Sequence, residues 1–192
     1  MLNEDQSKID LTIDVKKANK IIFPVMLLLI AFIYFLYDNV TGANLYRDLL
    51  KAIQAGKNPT LFLLGYLVCL GVLIYLHAVL HAFFLVILGH IKFNNTKVIA
   101  NKKLMPYVSH DVPVHIFAYR RAIFLPYLIL GLFPVGFGIY EHMALPVFAG
   151  TLICICFMGD MITLFHLAKV DRNFVAISHP NKYGCILYKI KS

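Results

Sequence analysis

The sequence has few charged residues, and they are nearly absent from long parts of it. Asp, Glu, Lys and Arg make up 15% of the 192 residues, whereas hydrophobic residues make up 60%, and the mean hydropathy is +0.74. Such a composition excludes an ordinary soluble globular protein, in which charged residues are more frequent. The sequence therefore predicts an integral membrane protein embedded in a lipid bilayer.

Cysteine is scarce as well, with four residues in the chain. Cys69, Cys154 and Cys156 lie within apolar blocks, and the last two point to different sides of a helix. This placement argues against a disulfide framework and against a paired thiolate metal site. We interpret these three residues and Cys185 as small apolar packing residues.

Four long apolar blocks are present, each close to or above the roughly 17 to 25 residues that cross a bilayer as a helix. They cover residues 21–37, 60–88, 122–140 and 144–168. The predicted fold class is therefore an all-α membrane protein with four transmembrane helices. No soluble domain of any size is left over, so residues 1–192 are expected to form a single membrane-embedded domain.

The connecting segments predict three smaller features. Residues 44–57 place their leucines on one helical face, which is typical of a short amphipathic helix on the outer membrane surface. The inner loop, residues 89–121, contains the β-branched pieces 97–100 and 112–117, which predict a small β-like structure. The very short link between the third and fourth spans makes these helices antiparallel neighbours.

Basic residues are distributed unevenly, which predicts the orientation. With a cytoplasmic N-terminus, 15 of the 18 Lys and Arg residues lie in the N-terminal tail, in the inner loop and in a cytoplasmic tail, residues 169–192. Only Arg47, Lys51 and Lys57 remain outside. The net charge of +8 is thus a topology signal. Since the chain has no nucleic-acid motif, we predict no nucleic-acid partner.

Ionisable residues within the four spans are limited to His77, His81, Asp160 and His166. Lys, Arg and Glu are absent there. Ionisable groups inside a membrane raise the free energy of the protein, so each one is expected to have a partner or a function. His77 and His81 are four residues apart, so a helix places them on one face, where two imidazoles can converge on one ion.

Helix geometry brings Asp160 to the depth of the two histidines. At ~1.5 Å per residue, His77 lies about 25 Å below the outer end of the second span, and Asp160 lies about 24 Å below that of the fourth. Two imidazole nitrogens and one carboxylate oxygen form a tetrahedral zinc site with one open position. Hydrolysis requires such an open position.

Two alternatives remain for the histidine pair. It could be a hydrogen-bonded polar patch between helices, or it could ligate haem, although the two ligands of a haem usually come from different helices. A single small ion fits two histidines on one helix face better, and the aspartate at matching depth favours it. His166 should face away from this ion. The loop and tail histidines are expected to be solvated rather than ligating; they are His90, His110, His115, His142 and His179.

Three motifs carry a family resemblance. Residues 77–81 read His-Ala-Val-Leu-His in place of HExxH, residues 159–161 contain the downstream aspartate, and residues 119–134 contain an arginine pair and two prolines. Together they resemble the intramembrane zinc metalloproteases of the site-2 protease type, and more closely the zincin peptidase family of small bacterial multi-pass membrane proteins. The likeness covers most of residues 60–168.

The resemblance implies a role for each matching position. It implies that His77, His81 and Asp160 ligate Zn²⁺, and that position 78 holds a glutamate that takes a proton from water and passes it to the leaving amine. Ala78 cannot do this, so this chain is expected to hold metal without cutting. Ala78 marks either a natural pseudoenzyme or an engineered Glu→Ala change. We favour the engineered change, because mutations in a site that had lost its function would also have replaced the metal ligands.

The expected function is therefore that of a zinc metalloendopeptidase, inactive in this version, which hydrolyses a peptide bond near the inner leaflet. The resemblance implies a multi-pass protein of the bacterial plasma membrane with both termini cytoplasmic, and a transmembrane segment or small membrane-associated peptide as substrate. A homo-oligomer is left open. The alternative is a non-catalytic metal-binding pseudoprotease or a transporter accessory subunit, although a transporter would more often show paired repeats.

Overall fold

The computed structural model describes residues 8–12, 15–56, 58–101, 104–179 and 184–189. The helices in these ranges are α1 (Val15–Thr41), α2 (Leu45–Gln54), α3 (Pro59–Gly89), α4 (Ile116–Tyr127), α5 (Phe133–Tyr140), α6 (Ala144–Cys156) and α7 (Met158–Ala168). A π-helical turn, Leu128–Leu132, joins α4 to α5. The strands are β1 (Lys8–Asp10), β2 (Thr96–Asn101), β3 (Leu104–His110), β4 (Val114–His115), β5 (Phe174–Ser178) and β6 (Cys185–Lys189).

Three helical segments of the described chain are long and apolar enough to cross a membrane. They are Lys20–Thr41 within α1, the whole of α3, and the continuous segment Ile116–Tyr140. Helices α6 and α7 qualify only as a pair, and they are bent by 58° relative to each other. The expectation of a mostly helical protein with three or four apolar spans is confirmed to this extent.

The fourth predicted span is not one continuous helix, and this corrects the prediction for residues 144–168. Phe157 leaves the helical conformation, with φ −104° and ψ 24°, although its N–H still donates to the carbonyl oxygen of Ile153. Gly159 follows two residues later and has a low helix propensity, which makes a break at this place less unfavourable. Asp160 therefore lies in the first turn of a separate helix, α7.

Both ends of the described chain enter one antiparallel sheet, whose strand order is β1-β6-β5-β4. In β5 the first, third and fifth residues are buried, and in β6 the first and third residues are buried. This alternation is expected when one face of a sheet covers a core. Strands β2 and β3 form a separate hairpin, in which Thr96 lies opposite His110. The β-structure therefore extends beyond the inner loop and includes part of the predicted cytoplasmic tail.

Of the two β-branched pieces in the inner loop, one forms a strand along its whole length and the other forms only a short one. The piece 97–100 lies within β2, so this prediction is confirmed. The piece 112–117 is wrong as a strand, because only Val114–His115 pairs with β5 and α4 begins at Ile116. The apolar helix therefore starts at Ile116, which is fully buried, and not at the predicted residue 122.

The predicted amphipathic helix is confirmed as α2. Asn44 caps its N-terminus, accepting a hydrogen bond from the Arg47 N–H at 3.0 Å, and Asp38 accepts one from the Leu45 N–H at 3.0 Å. Leu45 and Leu49 pack against a core formed by α1, α5 and α6. The helix is therefore held by polar groups at its start and by apolar contacts along one face.

The chain divides into two compact units, each with its own apolar core. One unit comprises the described residues within 1–21, 78–126 and 159–192, and its core includes Ile116, Ala122, Leu167, Ala176 and Leu187. The other comprises 22–77, without residue 57, and 127–158. Its core consists of Ile33, Tyr37, Val135, Ile139, Ala144 and Val147.

Within the second unit, the π-helical turn and α6 approach each other through two glycines. A Cβ atom at Gly150 would lie 2.5 Å from the carbonyl oxygen of Gly131, and a Cβ at Gly131 would lie 2.6 Å from Cys154 Sγ. Small residues are the usual means by which membrane helices come this close. The separation of the two helices therefore depends on the absence of side chains at these two positions.

A Gly150→Ala substitution should lower the stability of the folded protein by about 1 to 3 kcal/mol, because the new methyl group overlaps a backbone oxygen that has no freedom to rotate away. Gly136→Ala is the matched control: a Cβ there meets nothing within 4 Å, and alanine is the better helix former. Thermal unfolding in one detergent measures both. Equal melting temperatures for the two variants would contradict the close packing.

Candidate metal centre

Helix α3 carries the two histidines predicted to bind metal. The side chain of His77 is 1% exposed, and that of His81 is partly buried. Because one continuous helix holds both residues at a four-residue spacing, their Cβ atoms are neighbours on the same face. Their relative placement therefore depends on the helix alone.

Asp160 is brought to these histidines by α7. Its carboxylate lies in the first turn of that helix, where the partial positive charge of the helix N-terminus favours a negative group. Asp160 Oδ2 lies 3.2 Å from His81 Nε2. One ligand atom from each of His77, His81 and Asp160 can be chosen so that all three lie within 4.8 Å of one another. The structure thus brings together the three residues that the sequence singles out.

The three donors fit a divalent metal ion. In a tetrahedral site with bonds of about 2.0 Å, neighbouring ligand atoms are about 3.3 Å apart, close to the separation observed between His81 Nε2 and Asp160 Oδ2. The same distance suits a direct hydrogen bond, so this pair alone does not indicate a metal. With the buried second imidazole the group could hold a metal ion, because two nitrogens and one carboxylate oxygen form a common donor set for such ions.

Position 78 carries no group that could act as a base. Ala78 is 1% exposed and lies next to His77 on α3. Glu141 is exposed and follows the last residue of α5. Glu4 lies outside the described residues. The described part of the chain therefore offers no glutamate that takes the place of the one missing from HExxH.

His166 does not belong to the group of three. Its imidazole is exposed, and its Nδ1 lies 2.8 Å from the carbonyl oxygen of Ile162 on its own helix. The expectation that it faces away from the site is consistent with this placement. Among the loop histidines, His90, His115 and His142 are exposed as expected.

His110 differs from the expectation, because it is buried rather than solvated, with 1% of its surface exposed. Its Nδ1 lies 2.8 Å from the carbonyl oxygen of Val112, and since a carbonyl only accepts, this nitrogen carries the proton. Nε2 is then a buried lone pair, without a hydrogen-bond partner among the described residues. Burial lowers the pKa of His110, so the ring is held neutral.

A buried tyrosine extends the polar surroundings of Asp160 within the first unit. The Tyr119 side chain packs edge to face on His110, with ring centroids 5.4 Å apart, and its hydroxyl is close enough to Asp160, Ser178 and Cys185 to interact with them. Burial raises the pKa of the Cys185 thiol to about 12, so it stays protonated and is a poor metal ligand at neutral pH. Sequence analysis missed this cluster, whose members come from β3, α4, β5 and β6.

The resemblance to zinc metalloproteases rests on short motifs. No family model, no curated protein and no solved structure matches the chain. The likeness at residues 77–81 and 159–161 therefore stays a prediction, and a function has to be argued from the donor groups themselves.

Proposed function

We propose that the chain is a membrane-embedded zinc metallopeptidase of the site-2 protease type that binds Zn²⁺ but lacks its general base. The convergence of His77, His81 and Asp160 within 4.8 Å carries this proposal. His77 and His81 lie on α3, which is apolar enough to span a membrane, and Asp160 lies on α7, which qualifies together with α6. An ionisable group without a function is disfavoured inside a membrane.

Each ligand contributes in a different way. His77 and His81 would each hold the ion through a ring nitrogen, and Asp160 would contribute a negative charge that offsets part of the charge of the ion. When bound, Zn²⁺ would act as a Lewis acid toward a substrate carbonyl and would lower the pKa of a water molecule. With three ligands from the protein, a tetrahedral ion would keep a fourth position for the carbonyl or the water molecule.

Ala78 determines what this site does in the present chain. A methyl group neither accepts a proton from water nor passes one to a leaving amine, so the site holds metal and binds a peptide without cutting it. The substrate class for the version with a base is a transmembrane segment or small membrane-associated peptide, cleaved near the inner leaflet of a bacterial plasma membrane. A non-catalytic metal-binding pseudoprotease is the second candidate, favoured by the same buried alanine if it is native.

Metal analysis tests the proposal directly. Protein purified without chelators should contain about one zinc per chain, and His77→Ala, His81→Ala or Asp160→Asn should lose it, because a bidentate remnant binds far more weakly. His166→Ala is the matched control, since this histidine is exposed and bonds within its own helix. Folded native protein that takes up no zinc, or equal loss in the His166 variant, would refute the metal site.

A further inference from the structure

The imidazole of His77 is stacked on the ring of Phe157. The two ring centroids lie 3.5 Å apart and the ring planes differ by 10°. Both side chains are buried, with 1% exposure for His77 and 6% for Phe157. Both belong to the same compact unit. The contact is therefore a full face-to-face stack in a water-poor environment.

A helix fixes the Cα and Cβ atoms of His77 but not the plane of its ring. Rotation about the last side-chain bond of histidine has broad, roughly two-fold preferences, so the backbone alone leaves the direction of the nitrogens loosely defined. Metal binding needs one nitrogen lone pair aimed at the ion. A flat partner 3.5 Å away holds the imidazole in one plane, because a partial turn of the ring would collide with Phe157 and only a complete flip would restore the stack.

Phe157 also interrupts the helix that leads to the third ligand. It is the single residue between α6 and α7, and Asp160 follows three residues later. The side chain of Phe157 thus contacts one proposed ligand, His77. Its backbone lies directly before α7, the helix that carries another proposed ligand, Asp160. No other residue of the described chain combines these two positions.

We propose that Phe157 is a positioning residue that orients the His77 imidazole for metal binding. The inference rests on the proposed metal site and deepens it. Residues that orient metal ligands typically change metal affinity by about 10- to 100-fold when they are replaced. Phe157→Leu keeps an apolar side chain of similar size but removes the flat face, whereas Phe157→Tyr keeps the ring and should rescue binding.

Phe148→Leu is the matched control. Phe148 lies on α6 and stacks on Tyr66 of α3, with centroids 5.9 Å apart and planes 27° apart. This variant removes another aromatic contact to α3, made from the helix that precedes Phe157, without touching a histidine. A general loosening of the packing should therefore appear in both leucine variants, whereas a loss of orientation should appear only at position 157.

The experiment measures zinc affinity by chelator competition and the visible spectrum of Co²⁺-loaded protein for the native chain and the three variants. We expect Phe157→Leu to bind about 10- to 100-fold more weakly with an altered Co²⁺ spectrum, and the other two to resemble the native chain. Native binding in Phe157→Leu, or weak binding in Phe157→Tyr, would overturn the positioning role while leaving the metal site intact. Absence of metal from all four proteins would overturn both proposals.

A metal-free measurement tests the stack by itself. In histidine-labelled protein, the carbon-bound protons of His77 should be shifted upfield by the Phe157 ring in NMR spectra. The shift should be lost in Phe157→Leu and kept in Phe148→Leu. Unchanged His77 resonances in Phe157→Leu would overturn the inference even if the affinities differ.

Discussion

Ala78→Glu is expected to convert the chain into an active peptidase. Introducing a general base at the position next to His77 should raise the rate of peptide hydrolysis by about 10² to 10⁴ over the present chain, the usual contribution of a positioned acid-base group. The three metal donors already converge, so the glutamate is the one missing element of HExxH. Mass spectrometry of membrane peptides from the source cell, incubated with the reconstituted variant, would detect the cleavage.

The neighbouring turn of α3 provides a matched control for this gain of activity. Ala82 is 2% exposed, almost as buried as Ala78, and lies one helical turn further along. Ala82→Glu introduces the same buried carboxylate next to His81 instead of His77, one turn from position 78, so its rate of cleavage should be far below that of Ala78→Glu. Adding His77→Ala to Ala78→Glu should abolish cleavage by removing a ligand. A zinc-bound Ala78→Glu protein that cuts no peptide would refute the protease scaffold.

Arg120→Met is expected to destabilise the first unit by on the order of 3 kcal/mol. One nitrogen of the Arg120 guanidinium donates to the carbonyl oxygens of both Leu167 and Val170, at the C-terminal end of α7. Hydrogen bonds from a charged donor contribute about 1.5 to 3 kcal/mol each, and the buried residue Leu167 would keep an unsatisfied carbonyl. Thermal unfolding in detergent should show a large drop in the melting temperature.

Arg121→Met distinguishes this role from a general need for positive charge. The Arg121 guanidinium lies 4.0 Å from the centre of the Phe117 ring, and its side chain is exposed, so its loss should change stability by about 0.5 to 1 kcal/mol. In sequence analysis the two arginines are equivalent as topology signals. Equal effects of the two substitutions would show that the bonds to Leu167 and Val170 contribute little.

The parts of the fold that follow from local pattern are predictable from the sequence. The hydropathy blocks correspond to α1, α3 and the segment Ile116–Tyr140, because a long apolar run has few alternatives to a membrane helix. The spacing of His77 and His81 defines their common face for the same local reason. The depth argument also selects Asp160 correctly as their neighbour, although it assumes a straight fourth span.

The features that sequence analysis misses depend on contacts between distant parts of the chain. Nothing local distinguishes Phe157 from the other phenylalanines, and its break in the helix accompanies a stack on His77, far away in sequence. His110 reads as a loop residue and becomes buried only because β3 packs near Tyr119 and β5. The pairing of β1 with β6 joins opposite ends of the chain, which no periodicity encodes.

The four strands of the sheet come from three separate parts of the chain, and this limits how the chain can cross a bilayer. Strand β1 precedes all the helices, β4 lies between α3 and α4, and β5 and β6 follow α7. Strands cannot pair across about 30 Å of hydrocarbon, so all these segments share one side of the membrane. The number of crossings between any two of them must then be even. If the segment Ile116–Tyr140, which is long and apolar enough to span a membrane, crosses it once between β4 and β5, then the bent pair α6 and α7 has to return the chain to the side on which it started.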